Sequence, residues 1–239
     1  SRIEPYYQAS ELGRKKTDLE LLLRIYFLQQ WYSLSDPGAE EAIYDRISFQ
    51  KFLGIDLLAH QVPDETTILN FRHLLESHRL PEEFFAAVNE ILEQKQLMVK
   101  EGTIVDATIV IAPASTKNQQ KKRDPEMSST KKGNTWYFGM KAHTGVDTKR
   151  GLVHTLTTTT ARVHDSKQFA NLQHGKEQVI FGDKGYYSDK AKQSARKKGQ
   201  YFGVIDRATR GRSLSPTQKK RNQHKSSVRA KVEFSYQVL

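Results

Sequence analysis

From Gly102 onward the chain changes texture. Before it, apolar residues recur at three- and four-residue spacing. After it come short runs rich in Val, Ile, Thr and aromatic residues: TIVDATIVIA, WYFGMKAHTGVD, GLVHTLTTTTA, QVIFGD and YFGVID, separated by polar segments. A 3.6-residue period builds helices, and bounded β-branched runs of this length build strands. The reading is therefore an α/β protein, with a helical domain over residues 1–101 followed by a mixed sheet with flanking helices over 102–239.

In the first part, LELLLRIYFLQQWY repeats apolar residues at Leu19, Leu22, Leu23, Tyr26 and Phe27. Ser35-Asp36-Pro37 supplies a cap and an N-terminal proline for a helix AEEAIYDRISFQKFL. Pro63-Asp64-Glu65-Thr66 opens TILNFRHLLESH, and Pro81-Glu82-Glu83 opens FFAAVNEILEQKQLMV. The turn before TILNFRHLL leaves a helix-turn-helix reader open. The acidic balance of this segment favours a packing or dimerisation role.

Two of the apolar runs carry an aspartate. Asp106 lies inside GTIVDATIVIA, on the side of the strand that Ile104, Thr108 and Val110 share. Asp183 ends the run in EQVIFGDKGYYS, at the C-terminal strand end where α/β sheets place ligands, and Gly182 and Gly185 leave room for a phosphate backbone. A buried, unpaired carboxylate costs several kcal/mol, so Asp106 needs a cation, a metal or an opening to water. A third acid, Glu233, lies in the helix-like tail SSVRAKVEFSYQVL, beside a stripe of Val228, Val232, Ser235 and Leu239 and one turn after Arg229. Singly, each aspartate is also read as a cap or turn former, and Glu233 as a surface partner of Arg229. Together they predict a cage in which Asp106, Asp183 and Glu233 ligate two Mg²⁺ ions, with Mn²⁺ as a substitute. The sequence has no cysteine, so thiolate metal sites and disulfides are excluded.

The net charge of +11 is uneven. Residues 1–105 hold 11 basic and 17 acidic side chains, which leaves 27 and 10 for residues 106–239. Such a split predicts a polyanionic partner, nucleic acid first, against the plainer reading of a solvated basic surface. In TKKGNTWYFGMKAH, the residues Lys131, Lys132, Asn134, Trp136, Tyr137 and Lys141 interleave bases with aromatics, which suits phosphate contact and stacking. Trp136 and Tyr137 read equally well as strand-core rings. The polar segments 112–135 and 207–227 are both expected to be exposed basic loops, the second presenting Arg210, Arg212, Lys219, Lys220 and Arg221 to phosphates. His143, His154 and His164 lack metal-pair spacing and read as structural; Asp165 reads as a helix cap or as a group behind the ligands. No apolar run approaches the roughly 20 residues of a membrane span and residues 1–30 lack a signal-peptide layout, so a cytoplasmic protein is expected.

The stretches FLQQWYSLSDPGAEEAIYD, VPDETTILNFRHLLE, GTIVDATIVIAPASTKN, RDPEMSSTKKGNTWYFGMKAHTGVD, GLVHTLTTTTARVHD, FGDKGY and VRAKVEF resemble the DDE transposases of bacterial insertion sequences, specifically the insertion-sequence-five group. The resemblance implies a ribonuclease-H-like catalytic domain behind a helical N-terminal domain. It also implies Mg²⁺-dependent cutting and joining of double-stranded DNA, at terminal inverted repeats and target, by a homodimer on the DNA ends. Its catalytic acids fall on Asp106, Asp183 and Glu233, with Asp106 bridging both ions and the others holding one each, and Arg229 positions the DNA end. In the related insertion-sequence-four signature a tyrosine stands three residues before the arginine and a lysine seven after the glutamate. Ser226 takes the first place, and the second falls just past Leu239. The expectation is a chain truncated at both ends, with a non-catalytic DNA-binding remnant as the alternative to an active transposase.

Overall fold

The computed structural model describes residues 2–8, 16–116, 122–208, 211 and 213–236. The chain divides into two compact units between Val88 and Asn89, upstream of the change in texture at Gly102. Among the described residues of the first unit the regular elements are helices: a 3-10 turn Glu4–Tyr6, α1 (Leu19–Tyr32), α2 (Asp36–Asp45), α3 (Ile47–Leu53), α4 (Glu65–Ser77) and the start of α5 (Leu80–Gln94). Asp18, Ser35 and Asp64 cap α1, α2 and α4 by accepting from the backbone N–H groups of Leu21, Gly38 and Thr67. The single helix expected over residues 39–53 is broken at Arg46, whose backbone is extended at φ −112° and ψ 106°. The bend turns Phe49 and Leu53 into one core with Ile25, Leu28, Ile43 and Ile68. Arg72 grips Asp36 through Nη2 at 2.9 Å and Nε at 3.3 Å, and this pairing holds the Asp36 carboxyl below the usual carboxylate range.

The second unit is built on a six-stranded mixed sheet: β1 (Gly102–Ile111), β2 (Ser128–Lys132), β3 (Thr135–Asp147), β4 (Val153–Thr160), β5 (Val179–Gly182) and β6 (Tyr201–Val204). The order runs β2-β3-β1-β5-β6, and β4 pairs with β3 beyond the stretch that β2 occupies. β3 is antiparallel to β1, β2 and β4, whereas β1, β5 and β6 are parallel. Strand alternation sends Val105, Ile180 and Val204 to one face, packed with Phe169, Leu172 and Tyr186. Ile104, Val146 and Phe181 go to the other, under Val228 and Val232. Helix α6 (Asp189–Lys197) joins β5 to β6, and α7 (Pro216–Arg229) follows the sheet.

Two polar segments expected to be loops contain regular structure. Within 112–135, Ser128–Lys132 is the edge strand β2, joined to β3 by a two-residue turn with Gly133 at φ 61°. Its polar side chains suit an edge strand that faces water. Within 207–227, α7 starts at Pro216 behind a reciprocal cap: Ser215 Oγ accepts from the Gln218 N–H and Gln218 Oε1 accepts from the Ser215 N–H. The helix is so polar that periodicity does not reveal it. What secures it is Lys225, which is 4% exposed and donates to the Val204 carbonyl at 2.7 Å and to Asp206 at 3.0 Å. After Arg229 the chain tightens into a 3-10 helix over Ala230–Tyr236 instead of extending the predicted α-helical stripe.

Candidate active site

Register brings two of the predicted acids together. The last β1–β5 pair is Val105 with Gly182, so Asp106 and Asp183 follow side by side at the end of the parallel pairing. They continue the face of Ile104 and Phe181, the face that α7 covers. Arg229, the last residue of α7, lies across both: Nη2 is 3.4 Å from Asp106 Oδ1 and Nη1 is 3.8 Å from Asp183 Oδ1. Burial pushes the Asp106 carboxyl above the usual carboxylate range, Arg229 opposes this, and Asp183 and Asp165 add to it. At these distances the guanidinium balances the charge of both acids without tight bonding to either. Among the described residues its buried Nε has no hydrogen-bond partner.

Behind the acids stands a second charged pair. Lys141 Nζ donates to Asp165 Oδ1 at 2.9 Å and to the Val163 carbonyl at 3.0 Å. Asp165 begins the 3-10 turn Asp165–Lys167, but its cap is His164, which accepts from the Ser166 N–H, so the Asp165 carboxylate is committed to Lys141 instead of to a helix end. Tyr236 shares a 2.6 Å hydrogen bond with Thr144, and burial raises the Tyr236 hydroxyl pKa above its ordinary value.

The remaining predicted residues are distributed as follows. Glu233 is exposed on the 3-10 helix and forms neither a hydrogen bond nor an ion pair with a described residue. Arg229 therefore serves Asp106 and Asp183, not the surface pair with Glu233. Lys131, Lys132, Asn134 and Trp136 are exposed on the β2–β3 hairpin, with Trp136 67% exposed and in register with Lys131, so its ring is not a core ring; Tyr137 is half-buried. Lys141 is spent on Asp165 within the unit. Lys219, Lys220 and Arg221 are exposed on α7, while Arg210 and Arg212 lie outside the described residues. The histidines are tied into hydrogen bonds: His143 to Thr159, His154 to Thr103 and Thr155, and His164 to Ser166. Lys141–Asp165 as a pair, and Tyr186, were not singled out by sequence; Tyr186 stands three residues after Asp183, which was the available signal.

Among the described residues no group of three or more His, Asp or Glu side chains is gathered so as to hold a metal ion. The fit to a divalent cation is instead that of a pair. Asp106 and Asp183 flank one cationic group, the Arg229 guanidinium, whose contacts are long. A hydrated hard cation held by one or two carboxylates, the usual manner of Mg²⁺ at phosphate-processing sites, suits that donor set.

Residues 98–239 match the family described as "Transposase DDE domain", and residues 1–74 match a second family described as a transposase domain. The first match spans more than half of the chain, and the chain belongs to the DDE transposases. DNA transposition, DNA recombination and DNA binding are its field of action. Among solved structures, the crystal structure of the Mos1 strand transfer complex aligns with 95% of this chain and 77% of its own at 13% identity and a TM-score of 0.25, a similarity too low to carry an argument about fold or mechanism. No helix among the described residues is long and apolar enough to cross a membrane.

Proposed function

We propose that this chain cuts and joins the DNA ends of an insertion sequence of the insertion-sequence-five group, by divalent-metal catalysis on a ribonuclease-H-like sheet. The observation that carries this reading is the adjacency of Asp106 and Asp183 at the end of the β1–β5 pairing, with Arg229 across both. The two carboxylates would hold Mg²⁺, or Mn²⁺ in its place. Bound cations would supply an activated water or 3′-hydroxyl and stabilise the leaving oxygen. Arg229, released from the acids, would turn to a DNA phosphate. Glu233 sits four residues beyond Arg229 on the same tail and would complete the ligand set by swinging inward.

The exposed hairpin would meet DNA through Lys131, Lys132, Asn134 and Trp136, with Tyr137 behind them, and α7 would run its Lys219, Lys220 and Arg221 along phosphates. Arg210 and Arg212 belong to the same basic segment by sequence. The helical first unit would bind the DNA ends or join two chains into a homodimer.

The test uses the full chain, Mg²⁺ or Mn²⁺, and a labelled plasmid carrying the DNA that flanks its reading frame. Asp106→Asn and Asp183→Asn should each lower cleavage by at least about 100-fold, the scale of losing a group that stabilises transition-state charge. Undiminished cleavage by either variant would sink the metal-ligand assignment. DNA binding without cleavage by the unsubstituted chain would instead favour the non-catalytic remnant.

A further inference from the structure

Helix α6 and the residue after it carry Lys190, Lys192, Arg196, Lys197 and Lys198 against one acid, Asp189, and all six are exposed. None of the five cations forms an ion pair with a described residue, and the nearby acids Asp165 and Asp183 face Lys141 and Arg229 instead. Lys192 and Arg196 stand one turn apart, a like-charge pair that weakens an isolated helix. Helix stability therefore does not account for this run of charge.

Between α6 and the chain that follows Asp165 lies a groove of about 370 Å³. Its buried floor comes from Phe169, Ile180 and Ala195, and the exposed Lys167, Lys190 and Lys198 stand at its edges. Gln173, Ser194 and Gln200 also line it, and the two amides are held in place by donating to the Phe169 and Glu177 carbonyls at 2.9 and 2.8 Å. Among the described residues that line the groove there is no carboxylate. Lysine, serine and glutamine side chains are those that contact phosphate oxygens along a duplex. Lys190 and Lys198 are eight residues apart, about 12 Å along the helix, or three to four steps of a DNA strand at about 3.4 Å each. Cations spread over that length suit a run of phosphates better than a single anion.

The groove does not face the acid pair. Through Ala191, α6 covers the sheet face of Val105, Ile180 and Val204. Asp106 and Asp183 continue the opposite face, that of Ile104 and Phe181, under α7. A duplex lying along α6 is therefore a different one from a duplex presented to the acids.

We propose that the groove beside α6 is a second DNA-contact surface, in which Lys167, Lys190 and Lys198 hold the phosphate backbone of a duplex other than the one that is cut. Only the words "other than the one that is cut" rest on the reading of Asp106 and Asp183 as the cutting site. The contacts carry no sequence information, so the surface accepts any duplex.

The experiment is acetylation of lysines in the full chain, read by mass spectrometry, as a duplex of arbitrary sequence is added to one and then two equivalents. Lys219 and Lys220 should be protected by the first equivalent, and Lys167, Lys190 and Lys198 by the second. Lys197, on the same helix but outside the groove, should stay reactive throughout. In a chain with all three groove lysines changed to Gln, the salt dependence of binding the second equivalent should be shallower by about three in log affinity per log salt, one for each lost phosphate contact. Lys197→Gln should leave that slope unchanged. Groove lysines that stay reactive at two equivalents overturn the proposal, as does an unchanged slope in the triple variant. Equal protection of Lys197 overturns it too, since it would mean a general coating of basic surface, and protection complete at the first equivalent would mean one duplex wrapping both faces. Asp106→Asn separates this from the underlying reading. Undiminished cleavage by that variant removes the cutting site from the acid pair, while protection of the groove lysines still decides whether α6 holds DNA.

Discussion

At the scale of single residues, Arg229 and His154 make opposite kinds of prediction. Arg229 balances two carboxylates and would compete with any metal for them. Arg229→Gln should therefore bind Mn²⁺ roughly 3- to 10-fold more tightly while cleaving DNA more slowly, the range expected for one partly exposed charge contact. Unchanged affinity would show that the guanidinium does not hold the ion's place. His154 is 8% exposed, bonded to Thr103 and Thr155, and faces His174, Lys100, Glu177 and Asp147. Burial first, and the His174 ring second, push its pKa from 6.5 down to about 4. The unfolded chain thus binds a proton that the folded chain refuses, and stability rises with pH between those values. Its contribution is intact above about pH 6.5, fades as pH falls toward 4, and totals about 3 kcal/mol. Urea unfolding between pH 7 and 4 should show that loss, and His154→Gln should flatten it. Sequence identified this histidine as structural, because it lacked a metal-pair spacing, but gave no hint of its buried polar neighbours, which come from segments far apart in the chain.

At the scale of elements, the sheet depends on close approach at Gly139, where β3 passes from β2 to β4. Its φ is 152°, and an added side-chain carbon would fall 2.0 Å from the Val110 carbonyl oxygen of β1. Gly139→Ala should cost about 3 kcal/mol or more in urea unfolding, since backbone must move to admit it. Gly54 ends α3 at φ 69° with nothing within 4 Å, so Gly54→Ala should cost only about 1–2 kcal/mol of backbone strain. Comparable losses at the two positions would refute the steric account. Helix α7 depends on Lys225 in the same manner. Lys225→Met leaves Asp206 half of a buried pair, with Arg221 3.9 Å away, and should cost about 3 kcal/mol. The apolar strands and the capped helices were legible because their side chains carry the period of the element. β2 and the body of α7 were not: β2 is polar throughout and α7 is polar up to Val228, and what holds them is an edge pairing in one case and a buried ammonium with that one terminal valine in the other.

At the scale of the whole molecule, charge divides with the units. Residues 1–88 carry 9 basic and 14 acidic side chains, and residues 89–239 carry 29 and 13. Duplex binding by the second unit should be steeply salt-dependent. With six to ten phosphate contacts, affinity would fall by about 10³ to 10⁵ between roughly 50 and 200 mM salt, measured by anisotropy of a labelled duplex. A flat salt response would refute the basic surface as the DNA contact. The amino-acid sequence by itself determined the order of helical and strand-forming segments, the uneven charge, the absence of thiolate chemistry and the transposase resemblance. Each of these is written in residue type and local spacing. Only the tertiary structure decided which acids meet. Parallel register sets Asp106 beside Asp183, the grip of Lys225 on β6 delivers Arg229 to both, and the tightening of the chain after Arg229 leaves Glu233 facing solvent. Those outcomes depend on pairings between residues far apart in the chain, and a one-residue shift of register or helical turn would reverse them without changing any local pattern.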